Sequence, residues 1–278
     1  MTSADPVGPF PDPTPKPFAA TAAPSGPMRL EYLRAYNYIF ENPNWAMNLV
    51  WSFVCQLVTQ IIPIVPAMVF VGYQFESVEM LVANGGRRYP DFDTNRIGEY
   101  LSRGVWPVLA MFIVYLICMP FLGIGMMASI FGLAAAAGGT QDDTLGPLIF
   151  FGGASLTMLF LMLAMAAISV LTIPMMLRAG LKQEFGAAFE FGWVRGFIGK
   201  MWLESLLSQV FVAMSAFGLM LITCGLALLV LGPLLPFVQM HFFYQLYSIY
   251  LARGGTPIPT KPMVPPVAQQ PYLGTPQY

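Results

Sequence analysis

The chain alternates between four long apolar stretches and shorter polar ones. The apolar stretches cover residues 45–75, 105–137, 146–177 and 206–252. Each is longer than the roughly 17–25 residues that cross a hydrocarbon core about 30 Å thick. Only 10% of the 278 residues are charged, and 56% are hydrophobic, whereas a soluble domain carries about 25% charged residues. The pattern predicts an all-α integral membrane protein.

Prolines divide the first and the last of these stretches. Pro63 and Pro66 interrupt the first, and Pro233 and Pro236 interrupt the last. Proline lacks a backbone N–H and clashes with the preceding helical turn, so we expect a break or sharp kink at each pair. A single helix over residues 206–252 would be about 70 Å long, more than twice the hydrocarbon thickness. The four stretches therefore predict about six transmembrane or re-entrant helices.

Two further segments predict amphipathic helices that lie on the membrane surface. In residues 29–41, apolar side chains recur at helical spacing at Leu30, Leu33, Tyr36 and Phe40. Residues 178–204 combine basic side chains with a series of aromatic ones. An apolar face opposite a charged face is typical of an interfacial helix.

Proline-rich segments flank the helical part. Residues 1–28 and 256–278 are predicted to be disordered tails around a helical membrane domain at 29–255. Residues 1–28 contain no apolar leader, so the first apolar stretch is expected to act as the insertion signal. The tails are interpreted as solvated tethers or, alternatively, as proline-rich ligands for partner proteins.

A sequence pattern occurs twice. Pro-x-x-Pro, Tyr-Gln-x-x-Ser and Ala-x-Gly-Gly follow one another in residues 63–86 and again in 233–255. An aromatic element precedes each copy, at 35–38 and 188–191, although its distance from the prolines differs. The pattern indicates a possible internal duplication with halves at about 30–104 and 178–255, as in many transport folds. Chance remains an alternative, because Pro, Tyr and Gly commonly mark helix ends.

The distribution of basic residues predicts the topology. If each proline pair is a hairpin turn, all 13 Lys and Arg residues fall on one side of the membrane. Basic residues collect on the cytoplasmic side, so we expect a cytoplasmic (inner) membrane protein with both termini in the cytoplasm. A four-pass alternative, with the proline pairs as kinks, places some of them outside. Glu76 and Glu79 suggest that the first hairpin is shallow, because charge within the membrane is costly.

Several short motifs are similar to those of a known family. They are Asn-Pro-Asn-Trp at 42–45, Pro-x-x-Pro with Gly-Tyr at 63–73, Pro-Asp-Phe-Asp at 90–93 and Gly-Ala-Ala-Phe-Glu-Phe-Gly at 186–192. In these the chain resembles the bacterial and archaeal membrane proteins of domain-of-unknown-function family 4013, over roughly residues 30–255. The resemblance implies a multi-pass membrane protein and no known activity or site residues.

Catalytic and metal-binding patterns are missing from the sequence. The single histidine, His241, has no G-x-S-x-G partner motif, and the three cysteines lie singly in apolar stretches. Asp91 and Asp93 resemble a cation-binding pair, but acids in turns usually face solvent. We therefore predict no enzyme activity, cofactor or metal.

Six polar residues within the membrane domain form a candidate polar path. They are Gln56, Gln60, Glu76, Glu79, Gln239 and His241. The alternative is that they form hydrogen bonds between helices. Two arginines, Arg87 and Arg88, are candidate contacts for anionic lipid head groups or ordinary cytoplasmic anchors.

These observations favour a non-enzymatic membrane scaffold or accessory subunit in contact with the lipid bilayer. The alternative is a transporter for a small solute or lipid, with its path between the two halves. The net charge of −1 and the lack of a basic run argue against a nucleic-acid partner.

Overall fold

A computed structural model describes residues 27, 29–139, 145–223 and 227–260. This part of the chain contains seven α-helices: α1 (Arg34–Asn37), α2 (Trp45–Thr59), α3 (Val65–Asn84), α4 (Ile97–Gly138), α5 (Leu145–Lys182), α6 (Phe191–Ile222) and α7 (Leu228–Ala252). Short 3₁₀ turns lie at Tyr38–Glu41, Thr94–Arg96 and Gly186–Phe189. The prediction of an all-α fold is confirmed.

Helices α2 to α7 run alternately up and down. Neighbours along the chain pack against each other, and α3 and α7 also lie side by side in the centre. These two run in the same direction, because Phe70 packs on Phe237 and, further along, Phe75 stacks on Phe243 with ring centroids 5.8 Å apart. The bundle is therefore built around the two helices that carry the repeated pattern.

Two glycines bring α3 and α4 into backbone contact. A Cβ atom on Gly72 would lie 1.8 Å from the carbonyl oxygen of Tyr100, and one on Gly104 would lie 1.8 Å from that of Met68. Neither distance is possible for a real side chain, so this helix pair depends on glycine at both positions. Small residues permit the same close approach in other membrane helix pairs.

The tightly packed core lies at one end of the bundle, where α3, α5 and α7 end and α4 and α6 begin. The largest fully buried side chains are concentrated there, among them Tyr73, Tyr100, Phe197 and Leu177. The ion pairs of the helices lie at the same end: Glu76–Arg96, Glu79–Arg103, Arg178–Glu190 and Glu204–Arg253. We call this part of the molecule the charged end.

The opposite end is apolar and exposed. In the part of the chain that the structure describes, three helices are long and apolar enough to cross a membrane: α4, α5 and α6. Large apolar side chains are exposed along the α4–α5 hairpin, including Ile124, Phe131, Phe151 and Phe160. Helix α2 has 15 residues and is about 22 Å long, which is less than the hydrocarbon thickness of about 30 Å. The hairpin of α2 and α3 is therefore shorter than the α4–α5 hairpin.

The two proline pairs differ in position. Helix α2 ends at Thr59 and α3 begins at Val65, so the chain turns at Pro63, and Pro66 is the second residue of α3. The predicted break at Pro233 and Pro236 is wrong, because both prolines lie inside α7. Helix α6 already ends at Ile222, and α7 begins at Leu228, before both prolines. At Pro236 a side chain of α2 supplies the hydrogen bond that the proline removes from α7.

Neither predicted interfacial helix is present as one element. In the first, four residues form α1 and a 3₁₀ turn follows, with Ala35, Tyr38 and Ile39 buried against the bundle. The second, 178–204, is divided between the end of α5, a 3₁₀ turn and the start of α6. Its aromatic residues Trp193 and Phe197 are buried in the core instead of facing lipid. In both segments the apolar residues pack against the helical bundle instead of the membrane surface.

Most of the two predicted tails lies outside the described residues. The first residues after α7 are described, and they pack on the charged end. The indole N–H of Trp193 donates to the carbonyl of Thr256 at 2.9 Å, and Ile258 is buried with its N–H donating to the Tyr247 hydroxyl. The packed part of the chain thus continues past residue 255, where we expected the tail to begin.

Candidate functional site

The proline pair in α7 leaves a backbone carbonyl free for another partner. Within an α-helix the carbonyl of Gly232 would accept from the N–H of residue 236, but Pro236 has none. The side-chain amide of Gln56 on α2 donates to this carbonyl instead, at 2.5 Å. A neighbouring helix thereby replaces the missing hydrogen bond, which is how proline is tolerated within membrane helices.

Three further donors bond carbonyls of the same part of α7. The Ser52 hydroxyl donates to Pro233 at 3.0 Å, the Gln74 amide to Pro236 at 2.8 Å and the Tyr38 hydroxyl to Phe237 at 2.6 Å. Together with Gln56 they come from α2, α3 and the 3₁₀ turn before α2. We call these four hydrogen bonds the carbonyl ladder of α7. The bond from Gln56 replaces the one that Pro236 removes from the helix, and the other three fix this part of α7 to its neighbours.

A cavity of about 470 Å³ lies beside the carbonyl ladder, between α2, α3, α6 and α7. Three residues of the predicted polar path line it: Gln56, Gln60 and Gln239. Thr59 and Gln74 also line it, and sequence reasoning did not select them. We call it the glutamine cavity.

A larger cavity of about 680 Å³ lies between α4, α5 and α6. Its lining is mainly apolar, with Tyr115, Thr157, Ser169 and Gln209 among the polar exceptions. We call it the apolar cavity. No patterned signal in the sequence identified it, because its walls combine residues of α4 and α5 with residues of α6 and α7, which are distant from them along the chain.

The other three residues of the predicted path lie elsewhere. Glu76 and Glu79 are buried on α3 and pair with two arginines: Arg96, in the 3₁₀ turn before α4, lies 2.7 Å from Glu76, and Arg103 of α4 contacts Glu79. The acids therefore have partners at the charged end, and neither is a buried charge without a counter-charge. Neither lines the glutamine cavity.

His241 is buried against the N-terminal segment of the described chain. Its Nδ1 lies 2.8 Å from the amide nitrogen of Gln245, and its ring packs on Tyr38 at 4.3 Å. Gln245 in turn bonds both the N–H and the carbonyl of Glu31. His241 thus helps to fix this segment on α7 and lies apart from both cavities.

Arg87 and Arg88 lie in the loop after α3, and both are exposed. The backbone here is fixed by Asn84, which accepts from the N–H of Arg87 and donates to the carbonyl of Arg88. Contact of these two arginines with anionic lipid head groups stays a prediction.

A hydrogen-bond cluster joins two of the motifs that carry the family resemblance. The carboxylate of Asp91 accepts from the side-chain amides of Asn42, Asn44 and Asn48, at 3.1, 2.6 and 3.1 Å. The amide oxygens of Asn42 and Asn48 accept from backbone N–H groups, which fixes the amide orientation. All three amides therefore present donors to Asp91, an arrangement suited to a carboxylate and not to a cation.

The sequence shows the two motifs of this Asn–Asp cluster, but it does not predict that they contact each other. Tyr89 completes it by donating its hydroxyl hydrogen to the carbonyl of Ile39 at 2.9 Å, and burial raises the pKa of Tyr89. Asp93 accepts from the N–H of Asn95 and so begins the next 3₁₀ turn. The pair Asp91 and Asp93 is structural in this arrangement.

The fold and the long apolar helices define a multi-pass α-helical membrane protein. Within that class, the family described as Protein of unknown function (DUF4013) matches residues 55–231, and the chain belongs to this family. The matched part runs from α2 to the start of α7 and includes α3, α4, α5 and α6, which line the two cavities. No curated protein and no solved structure matches the chain.

Proposed function

We propose that the protein is a non-enzymatic scaffold or accessory subunit of a membrane assembly. The observation that carries this proposal is the use made of its intramembrane polar groups. Gln56 and Gln74 bond carbonyls of α7, Gln209 bonds Gln239, and Glu79 pairs with Arg103. These groups hold helices together, so few remain to line a continuous path or to perform chemistry.

The exposed α4–α5 hairpin supports an interaction role. Its apolar side chains point outward over a length greater than that of the α2–α3 hairpin. Apolar helices that extend beyond their own bundle offer a surface to lipid and to the transmembrane helices of other proteins. The proline-rich tails at 1–28 and 256–278 are proposed as additional contacts for partners.

We place the charged end at the cytoplasmic face of the cell membrane, with both termini on that side. The proposal rests on the positive-inside rule, because the basic residues of the helices and their connecting loops collect at this end. A reporter fused to the C-terminus of the full chain tests it. Reporter activity on the cytoplasmic side supports the placement, and activity on the opposite side contradicts it.

Site-specific photo-crosslinking tests the scaffold role. A photoreactive amino acid is placed at Phe131 or Phe151 on the hairpin, and at the exposed Phe53 on α2 as a control. We expect the hairpin positions to yield one reproducible adduct with another membrane protein, and Phe53 to yield lipid adducts. Lipid adducts at all three positions would contradict the proposal.

Transport of a small solute or lipid is a second candidate function. The observation that favours it is the glutamine cavity, in which Gln56, Gln60 and Gln239 lie together between the repeat-like halves. Flux of neutral solutes into proteoliposomes, reduced in a Gln60→Leu variant, would support it over the scaffold role. Equal flux in protein-free liposomes would remove it.

A further inference from the structure

The glutamine cavity and the apolar cavity are neighbours that share a wall. Val212 of α6 and Leu235 of α7 line both of them. At the same boundary the amide of Gln209, which lines the apolar cavity, donates to the amide oxygen of Gln239, which lines the glutamine cavity, at 3.1 Å. The two volumes therefore form one region with a polar part and an apolar part.

Charged side chains are missing from the described lining of both cavities. The polar groups there are amides, hydroxyls and a thiol. An anionic or zwitterionic head group in this region would lack a counter-charge, and an unpaired charge in a medium of low dielectric is strongly disfavoured. The lining thus selects for an uncharged polar group.

Two glutamines in the glutamine cavity keep hydrogen-bonding capacity. Gln56 uses its amide N–H on Gly232, which leaves its carbonyl oxygen as an acceptor. Gln239 accepts from Gln209, which leaves its own amide N–H groups as donors. A hydroxyl group both donates and accepts, so it matches this pair.

We infer that the two cavities together bind an amphiphile whose head is uncharged and carries a hydroxyl group, in the chemical class of diacylglycerols and long-chain alcohols. The head group occupies the glutamine cavity, and a hydrocarbon chain occupies the apolar cavity. Both volumes lie in the range of about 300–1,000 Å³ that is typical of small-molecule sites. The inference does not depend on the scaffold role, because a bound lipid is compatible with a scaffold and with a transporter.

Photolabelling of the full chain tests this inference. The protein is placed in phosphatidylcholine nanodiscs with a diacylglycerol that carries a photoreactive group on one acyl chain, and labelled peptides are identified by mass spectrometry. We expect saturable labelling of α4, α5 and α6 around the apolar cavity. Unlabelled dioleoylglycerol should compete, whereas dioleoylphosphatidylglycerol should not, because its phosphate is charged.

Variants locate the site. Ala216→Phe fills the apolar cavity from α6, and we expect it to lower labelling at least about tenfold. Gln239→Leu removes hydrogen bonds to the head group and should lower affinity about three- to tenfold. Met214→Phe is the matched control, since Met214 lies on the same helix, is exposed and is not part of the lining. Its labelling should equal that of the unmodified protein.

Three results would overturn the inference. They are labelling that does not saturate, equal competition by the two unlabelled lipids, and equal labelling of the Ala216→Phe variant and the unmodified protein. The first two are measured on the unmodified protein and need no variant to fold. Failure of the scaffold proposal is read separately, from the protein adducts at Phe131 and Phe151.

Discussion

Helices α3 and α7 carry the same sequence pattern and end in the same way, yet they begin differently. Each ends in a left-handed glycine, Gly85 with φ 69° and Gly254 with φ 70°. In each, the next glycine N–H donates to a carbonyl five residues back, at 2.8 Å in α3 and 2.9 Å in α7. This is the hydrogen bond of a Schellman end. At the start, Pro66 is the second residue of α3, whereas α7 runs through both of its prolines.

The difference lies in what surrounds the prolines. Pro63 and its neighbour Ile64 are exposed in the turn before α3. Pro236 lies among amide and hydroxyl donors of α2, α3 and the 3₁₀ turn, which form the carbonyl ladder. Proline at the second position of a helix costs no hydrogen bond, but in the interior it does. The same motif therefore begins a helix at Pro66, where no hydrogen bond is lost, and is tolerated inside a helix at Pro236, where Gln56 supplies the missing donor.

The two helices are also fixed to the bundle by different interactions. Helix α3 lies in backbone contact with α4 at Gly72 and Gly104 and adds the buried pairs of Glu76 and Glu79. Helix α7 is fixed through the carbonyl ladder. The close approach of α3 to α4 depends on shape, whereas the contact of α2 with α7 depends on hydrogen bonds, and substitutions can separate the two.

The largest effect is expected from Gly104→Ala, which breaks the close packing of α3 on α4. The new methyl group meets the carbonyl of Met68, so the helices must separate. We expect a loss of about 3 kcal/mol in the free energy of unfolding, or failure to fold. Denaturation in detergent micelles, followed by circular dichroism, measures it. Gly98→Ala is the control on the same helix, because its surroundings are open, and it should be neutral or stabilising.

The next largest effect is expected from Gln56→Leu, which breaks the carbonyl ladder. It leaves the carbonyl of Gly232 without a partner, at a cost of about 1–2 kcal/mol. In a Pro236→Ala background the restored N–H bonds this carbonyl, so the same change should cost less than about 0.5 kcal/mol. The double-mutant cycle of Gln56→Leu and Pro236→Ala is measured by the same denaturation. It gives the coupling energy of the two positions through the Gly232 carbonyl.

Gln60→Leu is the matched control for this cycle. Gln60 is exposed at the end of α2, and its side chain has no hydrogen-bond partner among the described residues. Its replacement should change stability by less than about 0.5 kcal/mol in either background. Equal losses for Gln56→Leu with and without Pro236 would show that the ladder does not compensate for the proline.

The contrast between the two proline pairs also marks the limit of prediction from sequence. The apolar runs are far longer than a soluble core needs, and they predict the all-α class and the number of long helices. This prediction succeeds because helix formation and membrane burial depend on local sequence. The turn at Pro63 follows from local backbone chemistry as well. The continuation of α7 through Pro236 depends on Gln56, which is remote in sequence, so no local rule reveals it.

Site residues follow the same division. Polar residues in apolar stretches were recognised one by one, and Gln56, Gln60 and Gln239 do meet in a cavity. The sequence places Glu76 on the same path, because its partner Arg96 lies in a polar segment that is predicted to be in water. The ion pair between them is therefore not visible from the sequence. Contacts between side chains on different elements decide whether a polar residue lines a cavity or forms an ion pair.

A smaller effect is expected from Pro66→Ala, which sharpens the contrast at the first proline pair. Proline at this position costs no hydrogen bond, so alanine should lower the free energy of unfolding only by about 0.4–1 kcal/mol, through the greater freedom of the unfolded chain. The effect should be the same in a Gln56→Leu background, as expected for independent sites. A coupling between these two substitutions would mean that both proline pairs share one set of donors.

The smallest effect is expected at the connection that opens the second repeat-like unit. Glu190 follows the 3₁₀ turn Gly186–Phe189 and bonds Lys182 at 2.8 Å and also Arg178. Hydrogen bonds from Lys182 and then Arg178 lower the pKa of Glu190 below its ordinary value of 4.5. Because the folded-state pKa is the lower one, this stabilisation is present above pH 4.5 and is lost as the pH falls through the folded-state pKa.

Glu190→Gln should therefore flatten part of the acid limb of the stability curve and change stability at neutral pH by less than about 1 kcal/mol, since the pair is partly exposed. Glu41→Gln is the matched control, because Glu41 occupies the 3₁₀ turn of the first unit and pairs with Arg34. The contribution of Glu190 should persist in that variant. If the acid limbs of the Glu190→Gln variant and the unmodified protein coincide, the bonds from Glu190 to Lys182 and Arg178 contribute nothing to stability. The two units would then differ only at their prolines.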